Sequence, residues 1–169
     1  MAIYLKTEEE ISLMRAANRL VGSTLGELAK IIKPGVSTGE LNRVAEEFIR
    51  NHGAEPTFLG FPNPNGPAFP ASICCSVNEC VVHGIPSDEQ ILKDGDIVSV
   101  DCGTLLNGYN GDSAYTFPVG EISEEVRELL RTTRESLYLG IEQAVHGGHV
   151  GDIGATVQDY CEAHGYGVV

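Results

Sequence analysis

Residues 97–117 read IVSVDCGTLLNGYNGDSAYTF, and this stretch decides the fold. Asn107-Gly108 is the strongest short signal for a two-residue type I′ hairpin turn, in which both residues take φ > 0. With those two as the loop, Leu106 faces Tyr109, Asp101 lies opposite Ala114, and Asp112 lies opposite Gly103. Side chains alternate across a strand, so Ser99, Asp101, Asp112, Ala114 and Thr116 share one face. Val98, Val100, Tyr115 and Phe117 collect on the other as a core surface, so turn and apolar partition specify the same register. The two carboxylates are then diagonal neighbours, roughly 7 Å apart at the backbone. Two readings of their face stand open. It is a solvated polar strand face, or it is a carboxylate pair that grips one cation or a pair of cations. The depletion of Asp in strands and the mutual repulsion of the pair favour the second.

Helices are expected on both sides of this hairpin. Thr7-x-x-Glu10 is a capping box that opens a helix with Ile11, Met14, Val21, Leu25 and Leu28 at helical spacing, ended by Pro34-Gly35. Ser37-x-x-Glu40 is a second capping box, followed by the stripe Leu41, Val44, Ala45, Phe48 and Ile49 and stopped at Asn51-His52-Gly53. Extended segments are expected next: a Pro-rich loop over 60–70, then SICCSVNE, CVVHGIP and the aspartate hairpin. Beyond Val119-Gly120 the helical period returns. Ser123 caps a stripe of Val126, Leu130, Leu137, Ile141 and Ala144, ended by Gly147-Gly148. Asp152 is expected to cap a fourth helix carrying Ile153, Val157, Tyr160 and Cys161, ended by His164-Gly165.

The two helix pairs match at an offset of 112 residues. Leu41 corresponds to Ile153, Phe48 to Tyr160, Gly35 to Gly147, and His52-Gly53 to His164-Gly165. Any two amphipathic helices share a period, so the coincident end points carry more weight than the stripes. The expectation is a single, incomplete domain over 1–169, with a first helix–helix–strand repeat over 1–118 and the helical part of a second over 119–169. The chain then stops at Val169, where the strands of the second copy should begin.

At 169 residues, 42% hydrophobic and 21% charged, the composition is that of a globular domain large enough for a real core. No apolar run approaches membrane-spanning length, and MAIYLKTEEE has no apolar signal core, so a soluble, cytoplasmic protein without a membrane partner is expected. A net charge of −13 without a basic patch argues against nucleic acid. The five cysteines, with no secretory signal, are expected to be reduced. Cys74, Cys75 and Cys80 lack a Cys-x-x-Cys spacing and read as small buried residues.

Two segments together, VVHGIPSDEQILKDGDIVSVDCGT (81–104) and GYNGDSAYTF (108–117), resemble the type I methionine aminopeptidases, and the resemblance covers essentially the whole chain. It implies an α+β, pita-bread (creatinase/aminopeptidase-like) fold: an antiparallel sheet covered by two helix pairs, here with the second pseudo-repeat truncated after its helices. It implies Asp101 and Asp112 as metal ligands, and His83 as the catalytic histidine that contacts the substrate near the scissile amide. From the residues alone His83 is only a histidine beside Gly-Ile-Pro. The resemblance also places Phe69 and Cys74 in the pocket for the methionine side chain; plain core packing is the alternative for both, and the NPNGPAFP loop before them is longer than the family pattern.

The implied activity is removal of the N-terminal methionine from nascent polypeptides by hydrolysis of the first peptide bond. The complete family site holds two divalent ions (Mn, Fe, Co or Zn), a bridging water, a further histidine in a later Gly-His-Gly segment and two later glutamates, one of them the expected general base. The sequence ends before those residues. His164 sits in a helix-ending His-Gly, and His146 and His149 at a Gly-rich helix end, so none of the three is assigned as a ligand. The chain alone is therefore expected to be inactive or weak, and to be a homodimer or to rely on a complementing chain that covers its open sheet edge and bare helix faces. The alternative is a non-catalytic short relative that binds N-termini or a partner chain. A prolidase-branch hydrolase is a third reading, disfavoured because a first helix starting near Thr7 leaves no room for that branch's extra N-terminal domain.

Overall fold

The computed structural model describes residues 4–64 and 66–169. Asn65, inside the Pro-rich loop expected over 60–70, lies outside the described residues. The chain divides into two compact units, Met1–Glu121 and Ile122–Val169.

The aspartate hairpin organises the first unit. Strand β3 (Ile97–Leu106) and strand β4 (Tyr109–Pro118) pair antiparallel, with Leu106 opposite Tyr109, Asp101 opposite Ala114 and Gly103 opposite Asp112. Asn107 at φ +52° and Gly108 at φ +81° form the turn, the left-handed pair a type I′ loop demands. The other edge of β3 is shared by two short strands. β2 (Ile73–Val77) runs against Val98–Cys102, with Cys74 opposite Asp101, and β1 (Glu55–Pro56) runs against Thr104 and Leu105.

Helix α1 (Glu8–Ala29) carries both halves of the expected capping box: the Thr7 hydroxyl accepts from the Glu10 N–H at 3.2 Å, and the Glu10 carboxylate from the Thr7 N–H at 2.8 Å. Helix α2 (Thr38–Asn51) has only half of its box. Ser37 accepts from the Glu40 N–H, with no return bond from the Glu40 side chain. Val21, Leu25, Leu28, Leu41, Ala45 and Ile49 pack with Ile73, Cys75, Val98 and Val100 into one core, so α1 and α2 cover the sheet face opposite the carboxylates. Each fully buried aliphatic side chain there contributes about 1.5–3 kcal/mol of hydrophobic stabilisation.

Two expectations for this unit need correction. CVVHGIP forms no strand. His83 at φ +58° and Pro86 interrupt a ladder, and the segment is tied to β2 mainly at Gly84. Tyr115, on the face expected to be core, is 52% exposed, its ring tilted 55° against Phe117 with centroids 4.8 Å apart. Its face alternates as expected, and it stands on a strand that pairs only with β3.

The second unit is a helix pair, α3 (Glu124–Glu142), capped by the Ser123 hydroxyl, and α4 (Val150–Ala163). Its seam is not the expected stripe. Thr132, Ser136 and Gly140 are the buried residues of α3, while Leu137 and Ile141 are more than half exposed. Small side chains let the helices approach, and a Cβ on Gly140 would stand 2.9 Å from Val157 Cγ2. Asp152 is not the cap of α4. His149 holds that position, and the Asp152 carboxylate accepts its N–H at 2.8 Å.

The offset of 112 reappears in the geometry. Residues 38–51 shifted by 112 give 150–163, the span of α4. His52 Nδ1 meets the Phe48 carbonyl at 2.8 Å with the rings 4.2 Å apart; His164 Nδ1 meets the Tyr160 carbonyl at 2.8 Å with the rings 4.4 Å apart.

Candidate active site

Hairpin alternation puts Ser99, Asp101, Asp112, Ala114 and Thr116 on the sheet face that α1 and α2 leave free. Cys74, opposite Asp101 on β2, joins them. A cleft of about 900 Å³ opens on this face, and its wall includes Asp101, Asp112, His83, Cys74 and Phe69. All five residues singled out from the sequence therefore come together in one cavity of the first unit. Phe58, Phe61, Ile85 and a run of prolines complete a mainly apolar lining.

Two glycines shape this wall. A Cβ on Gly103, the residue facing Asp112, would lie 2.9 Å from the Phe58 ring and inside contact of the Thr57 hydroxyl, so the bare backbone lets Thr57-Phe58 settle over the carboxylate face. The Thr57 N–H fixes that approach by donating to the Gly103 carbonyl at 3.1 Å. At Gly84 a Cβ would stand 2.7 Å from the Cys75 carbonyl carbon, inside contact of its oxygen. The close approach permits a two-point tie. The Cys75 N–H donates to the Gly84 carbonyl at 2.9 Å, and the Gly84 N–H to the buried Ser76 hydroxyl at 3.1 Å. His83, one residue earlier, is held in the left-handed region, a strained conformation that persists only where the surroundings enforce it.

The electrostatics are those of two carboxylates crowded on one sheet face. Burial, and then the neighbouring Asp112 charge, push the Asp101 carboxyl above the usual carboxylate range, against opposing pulls from His83 and a Cys102 N–H. Burial and the charges of Asp101 and Asp112 push the Cys74 thiol up to about 11, which keeps it protonated and unreactive at neutral pH. A cation between the carboxylates would relieve both effects. Among the described residues no group of three or more His, Cys, Asp or Glu gathers as a metal cage. His146, His149 and His164 are exposed and stand in the second unit.

Sequence reasoning missed Phe58, Phe61 and Ile85. The TFLGF run at 57–61 was a signal, but aromatics in a loop have no period to show which way they face.

A model of the metallopeptidase family M24 matches residues 12–169. A curated methionine aminopeptidase of Clostridium acetobutylicum is 52% identical over 167 residues, covering 99% of this chain and 65% of its own length. The crystal structure of a methionine aminopeptidase from Rickettsia prowazekii superposes with a TM-score of 0.93 at 40% identity, covering 99% of this chain and 65% of that one. A prolidase from Pyrococcus furiosus, at 24% identity and a TM-score of 0.83, shares the fold. The chain thus spans about 65% of the length of the methionine aminopeptidases it matches. These likenesses bear out the pita-bread fold and the resemblance read from the HGIP and aspartate segments.

Proposed function

Because the chain belongs to metallopeptidase family M24, we propose that it carries the N-terminal part of a methionine aminopeptidase domain, which removes the first methionine from nascent polypeptides by hydrolysing the first peptide bond. The observation that carries this reading is the diagonal carboxylate pair at the floor of an apolar cleft, with His83 on its wall.

Asp101 and Asp112 are the donors to a divalent ion, with two such ions, drawn from Mn, Fe, Co and Zn, in a complete site. The donor chemistry fits in part: two hard oxygen ligands, one of them half-buried, meet the preference of such ions for carboxylates. A divalent ion held there supplies Lewis acidity toward the scissile carbonyl and lowers the pKa of the attacking water. His83 reaches the substrate amide from the cleft wall and hydrogen-bonds to it as charge develops. Phe69 and Cys74, joined by Phe58, Phe61 and Ile85, form an apolar wall for the methionine thioether and exclude water from around it. Cys74 serves as a neutral wall group, since its thiol stays protonated.

The domain reading is one incomplete catalytic domain over 1–169, divided into a first repeat over 1–118 and the helical part of a second over 119–169. The matched spans and His–aromatic ends of α2 and α4 support it. No helix of the described residues is long and apolar enough to cross a membrane, which accords with a cytoplasmic setting. The exposed Leu137, Tyr138 and Ile141 accord with a homodimer or a complementing chain.

Calorimetric titration with Mn²⁺ and Co²⁺, beside a Met-Gly peptide hydrolysis assay, tests the assignment. Weak uptake that disappears in Asp101→Asn and Asp112→Asn is expected, with little turnover by these 169 residues and turnover gained when the rest of the family's length is added. Unchanged affinity in Asp101→Asn would sink the metal assignment, and tight uptake of two ions with full turnover would sink the partial-cage reading. A second reading, a non-catalytic relative that binds N-termini or a partner chain, is favoured by the lack of a three-donor group among the described residues. It requires peptide binding without hydrolysis even in the extended protein.

A further inference from the structure

Asn18 lies on α1, on the far side of the sheet from the cleft and 94 residues from Asp112, yet its side-chain oxygen accepts the Asp112 main-chain N–H at 3.2 Å. Asp112 faces Gly103 at a non-hydrogen-bonded pair of the hairpin, so its N–H points off the free edge of β4, where Asn18 takes it up, and Gly103 has no side chain to brace it. The Asn18 amide nitrogen donates back to the Met14 carbonyl at 2.9 Å, which fixes the oxygen toward β4. Two further contacts set the height of α1 at this point. Thr104 Oγ1 donates to the Ala17 carbonyl at 3.2 Å, and Gly111 lies so close that a Cβ on it would meet the Ala17 carbonyl carbon at 2.5 Å and the Asn18 nitrogen at 2.6 Å. Helix α1 is thus pinned to β4 immediately beside Asp112.

We propose that Asn18 is a positioning residue that fixes the backbone at Asp112, and through it the carboxylate's alignment with Asp101 for a divalent cation. The inference rests on the metal reading above. Asp112 is largely exposed and stands on an edge strand, so its orientation has no tight packing to enforce it. Partners that orient a ligand from behind commonly set metal affinity by an order of magnitude or more.

The test is Mn²⁺ binding to the 169-residue chain, followed by the loss of the free-ion electron paramagnetic resonance signal, beside thermal melts in chelator. Asn18→Ala should weaken Mn²⁺ uptake about tenfold while the chelated melt stays close to the parent's. Ser23→Ala, on the same helix but bonded only to the Arg19 carbonyl, should change neither readout. If Asp112→Asn abolishes uptake while Asn18→Ala leaves it unchanged, the positioning role is wrong and the metal site stands. If Asp112→Asn has no effect, or the parent shows no saturable uptake at millimolar Mn²⁺, the metal reading fails and takes this inference with it. Equal losses in affinity and in chelated melting temperature for Asn18→Ala would reduce its role to general stability and overturn the proposal.

Discussion

Replacing Gly84 by alanine adds one methyl group where the structure leaves no space for it. The new carbon would sit 2.7 Å from the Cys75 carbonyl carbon and closer still to its oxygen, and the obstacle is main chain that cannot rotate away. The backbone of 83–85 must back off β2 by around an ångström, an overpacking cost of about 1–3 kcal/mol. That retreat stretches the Cys75–Gly84 and Ser76–Gly84 hydrogen bonds, each contributing about 1 kcal/mol. The expected loss is about 2–4 kcal/mol, or on the order of 5–15 °C in melting temperature for a chain of this size. Gly26→Ala is the counterpart. It lies exposed inside α1 with nothing within 4 Å of a Cβ, so the same chemical change should stabilise by about 0.5–1 kcal/mol. Thermal melts of both variants, with amide chemical shifts of 82–85, give the answer. His83 should lose its left-handed signature in Gly84→Ala, while cation uptake by the Asp101–Asp112 pair, held on other strands, should stay near the parent's. A Gly84→Ala melt within about 2 °C of the parent, with His83 shifts unmoved, would refute the argument that this close approach holds the histidine.

The pH dependence has a definite sign. Because burial and Asp112 raise the folded-state value of Asp101, its contribution to stability is fully present below the ordinary carboxylate value near pH 4 and is lost as pH rises through the raised value. In chelator, the parent should therefore lose stability from about pH 4 upward relative to Asp101→Asn, and parallel melting curves would contradict this. Phe117→Ala should cost about 3–5 kcal/mol by denaturant titration, against about 1 kcal/mol for Tyr115→Ala, which gives up one ring contact at an exposed position. Gly108→Ala, at φ +81°, should cost about 1–2 kcal/mol by the same measurement without moving the β3–β4 register in hydrogen-exchange patterns. Cys74 should resist iodoacetamide at pH 8, and Asp101→Asn should speed its reaction by removing one of the charges that hold the thiol protonated.

The carboxylate pair was legible because every step of its derivation is local. A two-residue turn fixes which residues face each other, and strand alternation fixes which share a face, so Asp101 and Asp112 follow from consecutive residues alone. The caps of α1 and α3 were legible for the same reason, a hydroxyl reaching an N–H three residues on. So was the His-Gly ending shared by α2 and α4. The errors fall where a neighbour distant in sequence decides. Leu137 and Ile141 have helical spacing, but α4 chose the small residues of α3 as its seam. Tyr115 has the right parity for the core, yet it is exposed while Phe117, two residues on along the same face, is buried.

Sequence by itself determined the hairpin register, the paired carboxylates and the family pattern around His83, since turn chemistry and alternation propagate along the chain without help. Tertiary structure alone decided that Phe58 and Phe61 wall the cleft, that Gly84 ties His83 to β2, and that Asn18 reaches Asp112 across 94 residues. These are matters of which surfaces approach each other and how closely, and no periodicity within one segment encodes the distance to another.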